Sequence, residues 1–400
     1  MALFAAACGG SDSAVDASSS ATAVAGAEPT AIPEPDPTPE PTATPEPEPT
    51  QEPATPEPEV VDRDFSAVTD AVQSFVDERE LNGAGLIVVH RDDGVLYHEH
   101  FGEFTPDRIS LIASSSKMIS AGVLLKLEEA GLLDMDEPVT AVTDWTGNPD
   151  ITSAQLVSNS SGLVGLGPDL LYGPYICQWG PTSHIDDCAT TVFTTDSDDD
   201  DIIEPDTEFR YGGAQWQVAG GVAEAASGKS WAELIQEIYV EPCGVDSLGY
   251  INLGSVVTAF GYPTVFGGDP ASVDESANPT IEGGAHITSG DYGELLLMHL
   301  RGGRCGDNEV LSQASLDTMH ADRIKAVYDG DALDPATGYG MGWWVDRNTD
   351  RISDGGAWGS VPWLDLDDGY GAYLIIEDLS ITGNELKEMI EELVHDAVVS

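Results

Sequence analysis

Basic side chains are scarce in this sequence. It carries 15 Lys and Arg against 71 Asp and Glu, a net charge of −56 over 400 residues. So acidic a surface repels phosphate backbones and anionic headgroups, which sets aside nucleic acid and direct adhesion to a lipid surface. Long hydrophobic runs are missing too. After the first residues, no segment supplies the roughly 20 apolar residues that a membrane-spanning helix needs. Metal-ligand patterns are thin. His98 and His100 share one face of an expected strand, but no third ligand stands out. The acidic run Asp196–Asp201 lacks the spacing and central glycine of a calcium loop and reads as a solvated loop. No cofactor or metal is expected.

The charge is unevenly spread. Residues 1–60 hold eleven acids and no Lys or Arg, which leaves 60 acids against 15 bases in the remainder. The opening stretch "MALFAAACGGSDS" places small residues before Cys8, as at the end of a bacterial lipoprotein signal. Cys8 would then be the lipidated residue, with the sequence starting inside a longer signal; the plainer reading is a disordered terminus. Residues 28–60 hold twelve of the 25 prolines, alternating with Thr and Glu. Such a stretch buries no core and favours polyproline II, reaching roughly 100 Å if extended. We therefore expect a signal remnant and disordered terminus over 1–27, a stalk over 28–61 and a folded domain over 62–400. Setting Cys8 aside leaves Cys177, Cys188, Cys243 and Cys305, which allow three pairings. Proximity in sequence favours Cys177 with Cys188, and then Cys243 with Cys305. Disulfides and a lipid anchor would place the domain outside the cytoplasm, anchored or secreted.

Within the domain, Asp64–Arg79 has the apolar spacing of an amphipathic helix, and a β-hairpin turning at Asp93-Gly94 follows. A mainly helical, loop-rich middle runs to about residue 300. Strands return in "GYGMGWWVD", "GSVPWLDLD" and "GAYLIIED", and a last helix covers roughly Asn384–Val398. This order predicts an α+β fold: an antiparallel sheet built from both chain ends, flanked by N- and C-terminal helices, with a helical subdomain inserted.

The stretch "ASSSKMISAGVLLKLEEAG" raises the question of chemistry. Its apolar spacing predicts a helix that stops near Gly131. A serine at the start of such a helix is an ordinary cap. The same helix would also bring Ser114 and Lys117 onto one face, three residues apart, where a lysine can activate a serine hydroxyl. The lysines number five, and Lys117 alone has a serine three residues before it.

Several stretches together resemble the penicillin-recognising serine hydrolases, in the branch of class C β-lactamases, D,D-peptidases and related esterases. Ser114-x-x-Lys117 matches the first motif. "LVSNSSGL" resembles a family segment in which His commonly stands where Asn159 does. "FRYGGAQWQVAGG" resembles the segment of the second motif, Tyr-x-Asn. "GGAHITSGDYGELLLMHLRGG" and "GYGMGWW" resemble two more. "SDGGAWGSVPWLDLD" falls where a third motif, Lys-x-Gly or His-x-Gly, belongs. The resemblance covers nearly all of residues 64–398 and implies a β-lactamase/transpeptidase-like fold.

It also implies roles. Ser114 would form an acyl-enzyme, Lys117 and Tyr211 would share the proton transfers, and the N–H groups of Ser114 and Ala357 would form the oxyanion hole. Gly213, Asp354, Gly356 and Trp358 would line the substrate site, and His286 is read either as a structural turn residue or as a substrate contact. The departures are at Gly213, where the motif's Asn is gone, and at Asp354, which stands where a cation is usual. An acidic Asp354 facing the cleft would repel a substrate carboxylate and would favour the charged form of Lys117; the alternative is that Asp354 points away and only shapes the turn. We therefore expect hydrolysis of neutral or cationic esters or amides, with a small-molecule or peptide-like acyl substrate. D,D-peptidase or β-lactamase activity is one alternative, and a catalytically silent binding module is the other. The charge excess yields a first prediction: molar NaCl screens self-repulsion and raises the midpoint of thermal unfolding. A midpoint unchanged or lowered by salt contradicts it.

Overall fold

The structure is a computed structural model, which describes residues 63–148, 150–166, 172–195, 202–257 and 269–400. Cys8, the expected stalk and the acidic run Asp196–Asp201 lie outside the described residues.

The N-terminal helix α1 (Ser66–Glu78) buries Val68, Val72, Phe75 and Val76 on one stripe. Strands β1 (Gly83–His90) and β2 (Gly94–Gly102) form the expected hairpin, with Gly94 at φ 76° in its turn. Short strand β3 (Ile109–Leu111) leads through a 3₁₀ turn, Ala113–Ser116, into α2 (Lys117–Glu129). The helix ends where expected, with Gly131 left-handed at φ 68°. The middle holds α3 (Ser153–Val157), a 3₁₀ stretch Gly173–Trp179, α4 (Ile185–Phe193), α5 (Ala214–Ser227) and strands β4 (Gly249–Tyr250) and β5 (Ala285–Thr288). Next come α6 (Ser289–Leu300) and a small ribbon of β6 (Arg304–Cys305) and β7 (Asn308–Glu309). The chain closes with β8 (Thr337–Tyr339), β9 (Trp344–Asp346), β10 (Ile352–Ser353), β11 (Ser360–Asp365), β12 (Tyr370–Ile375) and α7 (Ser380–Val399).

The large sheet has seven strands in the order β2-β1-β12-β11-β10-β9-β8, and each neighbouring pair is antiparallel. Both chain ends thus build one sheet, as the order of elements predicted. Alternation along β1 assigns its faces. Leu86 and Val88 pack with α1, α7 and Trp363, while Ile87 and Val89 join the core shared with α2, α5 and α6. Helix α6 comes close because Gly293 has no side chain: a Cβ there would meet Ile87 Cδ1 at 2.5 Å.

Two expectations need correction. The middle is not only helices and loops, because β3, β5 and β4 form a second, three-stranded antiparallel sheet. These strands are too short for an alternation to be read from sequence. "GYGMGWWVD" is not one strand but β8 and β9, parted by a turn. Gly342 sits in that turn at φ 82°, pressed against the start of α2, where a Cβ would stand 2.8 Å from the Lys117 carbonyl oxygen.

Both expected disulfides form, Cys177–Cys188 and Cys243–Cys305, with sequence separations of 11 and 62. Loop-closure entropy assigns about 3 kcal/mol to the shorter link and about 4 kcal/mol to the longer. Replacing Cys243 and Cys305 by Ser should therefore lower the urea midpoint more than replacing Cys177 and Cys188. The reverse order would contradict that.

Candidate active site

The three adjacent serines divide their work by direction. Ser115 is fully buried; its Oγ donates to the Asp354 carbonyl at 2.6 Å and accepts from Ser360 Oγ at 2.8 Å. Ser116 is also buried, with Oγ donating to the Ala113 carbonyl at 2.6 Å and accepting from the Ala285 N–H at 3.1 Å. Both hydroxyls are structural ties. Ser114 is half-buried, and its Oγ accepts from Lys117 Nζ at 3.0 Å. Neither Ser116 before α2 nor Ile112 before the 3₁₀ turn caps with its side chain, so the capping role fails here. Ala113, just before Ser114, has φ 46°, a left-handed conformation costly for a residue with a Cβ.

Lys117 is only 1% exposed. A buried ammonium is costly unless its donors are used. Besides Ser114, Nζ donates to the Glu282 carbonyl at 3.0 Å and lies 4.6 Å from the centroid of the Tyr211 ring. The Tyr211 ring lies tilted by 31° against Trp344, with centroids 5.2 Å apart, and its carbonyl accepts from the Leu166 N–H at 2.6 Å. Among the described residues its hydroxyl makes no hydrogen bond.

Asn159 sets the position of the Tyr211 segment. It is fully buried with φ 56°, a conformation that asparagine tolerates. Its Oδ1 accepts from Gln215 Nε2 at 2.8 Å, Trp216 Nε1 at 3.1 Å and the Gly212 N–H at 3.4 Å. One side-chain oxygen thus gathers the start of α5.

The third-motif turn also reaches the serine. A Cβ on Gly356 would stand 2.1 Å from the Ile112 carbonyl oxygen, so only glycine allows this approach. Ala357 follows, exposed, and its N–H makes no backbone hydrogen bond among the described residues. The Ser114 N–H lies at a helix start, where such donors lack partners within the helix. Trp358 is half-buried and packs with Leu111 and Ile251.

Asp354 differs from expectation. It is fully buried, and its Oδ2 accepts from the Met118 N–H at 3.3 Å, at the electropositive start of α2. It offers no surface to a substrate. Burial pushes its carboxyl well above the usual carboxylate range, against the opposing pull of the Lys117 ammonium. The turn carrying Asp354 runs beneath the nucleophile helix, so its side chain caps that helix instead of facing the cleft.

Glu282 was not singled out from sequence. It is buried, and burial raises its carboxyl pKa while Lys117 lowers it. His286 lies on β5 rather than in a turn; it is buried, with Nδ1 at 3.2 Å from the Ser247 carbonyl. His98 and His100 converge on Ser289 Oγ at 2.9 and 3.2 Å. Among the described residues Asp365, Asp368 and His395 could converge on a metal, but Arg351 Nε already binds Asp365 at 2.8 Å. A groove of about 520 Å³ opens beside Tyr211, lined by Val164, Leu166, Phe209, Leu333 and Trp344 among others.

The half-buried Ser114 and the buried Lys117 thus meet where the antiparallel sheet joins the helical region. The family profile named Beta-lactamase matches residues 68–384, and the chain belongs to that family. It is similar to penicillin-binding protein 4 of Amycolatopsis lactamdurans, at 26% identity over 288 residues, which are 68% of this chain and 70% of the relative. A provisionally assigned β-lactamase from Bacteroides dorei superposes with TM-score 0.66 and 26% identity, over 84% of this chain and all of that one. EstCE1, described as a hydrolase with promiscuous acyltransferase activity, shares the fold at TM-score 0.64 and 18% identity, over 83% of this chain and 97% of that one.

The Asp354 geometry has a consequence for pH. Its folded pKa is raised, so its contribution to stability is full below the ordinary carboxylate range and is lost as pH rises through the raised value. Asp354→Asn removes that loss. The melting temperature of the variant relative to the natural protein should climb between pH 5 and pH 8. A difference that stays flat or falls contradicts the burial argument.

Proposed function

We propose that the domain over residues 62–400 hydrolyses esters, or amides, through an acyl-enzyme on Ser114. The contact that carries this reading is Lys117 Nζ on Ser114 Oγ at 3.0 Å, with the neighbouring Ser115 and Ser116 hydroxyls committed elsewhere. The step requires one member of the pair in its base form, Lys117 as the free amine or Tyr211 as the phenolate; Ser114 Oγ attacks the acyl carbon as its proton passes to that base. The N–H groups of Ser114 and Ala357 receive the developing oxyanion. The proton then goes to the leaving oxygen or nitrogen as its bond to carbon breaks. Water repeats the sequence on the acyl-enzyme and releases the acid. The intact serine–lysine contact speaks against a silent binding module.

The substrate preference rests on what flanks this pair. The third motif has no cation at position 354, and the second has no amide at position 213. The groove beside Tyr211 combines apolar walls, with Leu166 53% and Leu333 76% exposed, with Arg210 and Glu208, which are paired at 3.7 Å. These features favour an uncharged ester with apolar parts over a substrate held by its carboxylate. Similarity to a penicillin-binding protein supports the second reading, acylation by β-lactams or cell-wall peptides. The disulfides Cys177–Cys188 and Cys243–Cys305 support an extracytoplasmic location, with Cys8 as the proposed lipid site and residues 28–61 as the stalk.

A fluorophosphonate probe, added to the full chain at low and at molar salt, should label Ser114 as read by peptide mass spectrometry. Ser114→Ala should give no adduct, and Lys117→Ala should slow labelling by about 10²-fold or more. Folded protein without an adduct at any salt would refute the reading. Labelling by benzylpenicillin faster than turnover of p-nitrophenyl esters would favour the second one.

A further inference from the structure

Strand β2 lies at one edge of the large sheet, and its two histidines, two positions apart, share one face. His98 stands opposite Ile87 and His100 opposite Gly85 across the hairpin. Ile87 belongs to the face that packs on α6, so both imidazoles lie over the start of that helix. There they converge on one atom. His98 Nε2 stands 2.9 Å and His100 Nε2 3.2 Å from Ser289 Oγ, with the two ring centroids 4.6 Å apart. The sequence offered two ligands and no third; the fold brings a hydroxyl oxygen to both.

Three donors so spaced match one corner of a metal's coordination shell. With bonds of about 2.1 Å, ligands at right angles stand about 3.0 Å apart and tetrahedral ones about 3.4 Å. The same distances also serve hydrogen bonds, Ser289 donating to one ring nitrogen and accepting from the other. An ion can therefore replace the shared protons with little rearrangement. Among the described residues neither ring pairs with a carboxylate, and Glu99 between them points to the opposite face. Burial and the neighbouring imidazole hold the His98 pKa down, and burial does the same for His100 against the pull of Glu99. Neutral imidazole is the form that ligates. Two glycines leave room for further ligands. A Cβ on Gly85 would stand 3.5 Å from Ser289 Oγ, and one on Gly290 3.4 Å from His98 Cε1, so a longer side chain at either position would crowd the donors. The acidic surface concentrates cations, and Asp291 in the first turn of α6 offsets the positive end of that helix.

We propose that His98, His100 and Ser289 form a site for a divalent transition-metal ion of the zinc and copper class, with the two Nε2 atoms as the strong ligands, the Ser289 hydroxyl as the third and water completing the shell. Imidazole donors select such ions over Ca²⁺ and Mg²⁺, which take oxygen ligands. The ion clamps edge strand β2 to the head of α6. That helix bears on the nucleophile turn: Tyr292, three residues on from Ser289, donates its O–H to the Ser115 carbonyl at 3.1 Å. The role of the ion is structural. The site is separate from acyl transfer at Ser114, and the proposal does not depend on the acyl-enzyme reading.

The test titrates Zn²⁺ into the untagged full chain at neutral pH by calorimetry, with excess Ca²⁺ present to occupy exposed carboxylates. Zn²⁺ should bind one to one and raise the melting temperature. Cu²⁺ in its place should give an electron paramagnetic resonance spectrum split by two imidazole nitrogens. His98→Gln and His100→Gln, which keep a hydrogen bond to Ser289, should each weaken Zn²⁺ binding by about tenfold or more and leave one nitrogen coupled to Cu²⁺. Ser289→Ala should weaken binding less and retain both nitrogens. His395→Ala should bind as the natural chain does, which separates this site from the group of Asp365, Asp368 and His395. No Zn²⁺ binding in the presence of Ca²⁺ overturns the proposal. So does binding that both glutamine variants leave unchanged, or that His395→Ala abolishes. Should a glutamine variant fail to fold, selective broadening of the His98 and His100 ring signals by Cu²⁺ in the natural chain, read by NMR, decides in its place.

Discussion

A buried lysine governs this site. Lys117 is 1% exposed, so its ammonium must find partners inside the protein. Those partners are the Ser114 hydroxyl, the Glu282 carbonyl and the face of the Tyr211 ring. Each comes from a different part of the chain. Satisfying one cation therefore draws together the helix start, the segment before β5 and the segment before α5. The cost of burial and the assembly of the site are one constraint.

Two carboxyls respond to the same low-dielectric setting. Asp354 and Glu282 are both buried near Lys117, and burial raises both. Their geometry gives them different work. Asp354 faces the Met118 N–H and fixes the nucleophile helix from beneath. Glu282 lies beside Gly213, where the second motif would carry an amide. Charge reversal at position 354 thus reaches the chemistry through helix anchoring rather than through contact with a substrate. The acidic exterior contrasts with a site whose buried carboxyls lean towards neutrality.

The fold was legible in the sequence where elements were long and periodic. Helices α1 and α2, the hairpin at Gly94 and the joining of both chain ends in one sheet followed from apolar spacing and turn residues. The small β3-β5-β4 sheet was not legible, because strands of two to four residues carry no measurable alternation. Ser114 and Lys117 were legible as a pair through their spacing. What the spacing left open was the work of the two neighbouring serines, which turn inward as structural ties while Ser114 meets the lysine. Glu282 left no signal, because it meets Lys117 from 165 positions away. Asp354 was visible as a departure, but its burial depends on the depth of a turn. Gly356 sets that depth by lying against the Ile112 carbonyl.

The central claim is that turnover passes through an ester bond to Ser114. The most direct measurement is a rapid acid quench during hydrolysis of a p-nitrophenyl ester, followed by mass mapping of the acyl group. The account predicts a covalent acyl group on Ser114, forming and decaying at rates consistent with turnover. An acyl group on a different residue, or undiminished turnover in Ser114→Ala, would contradict it.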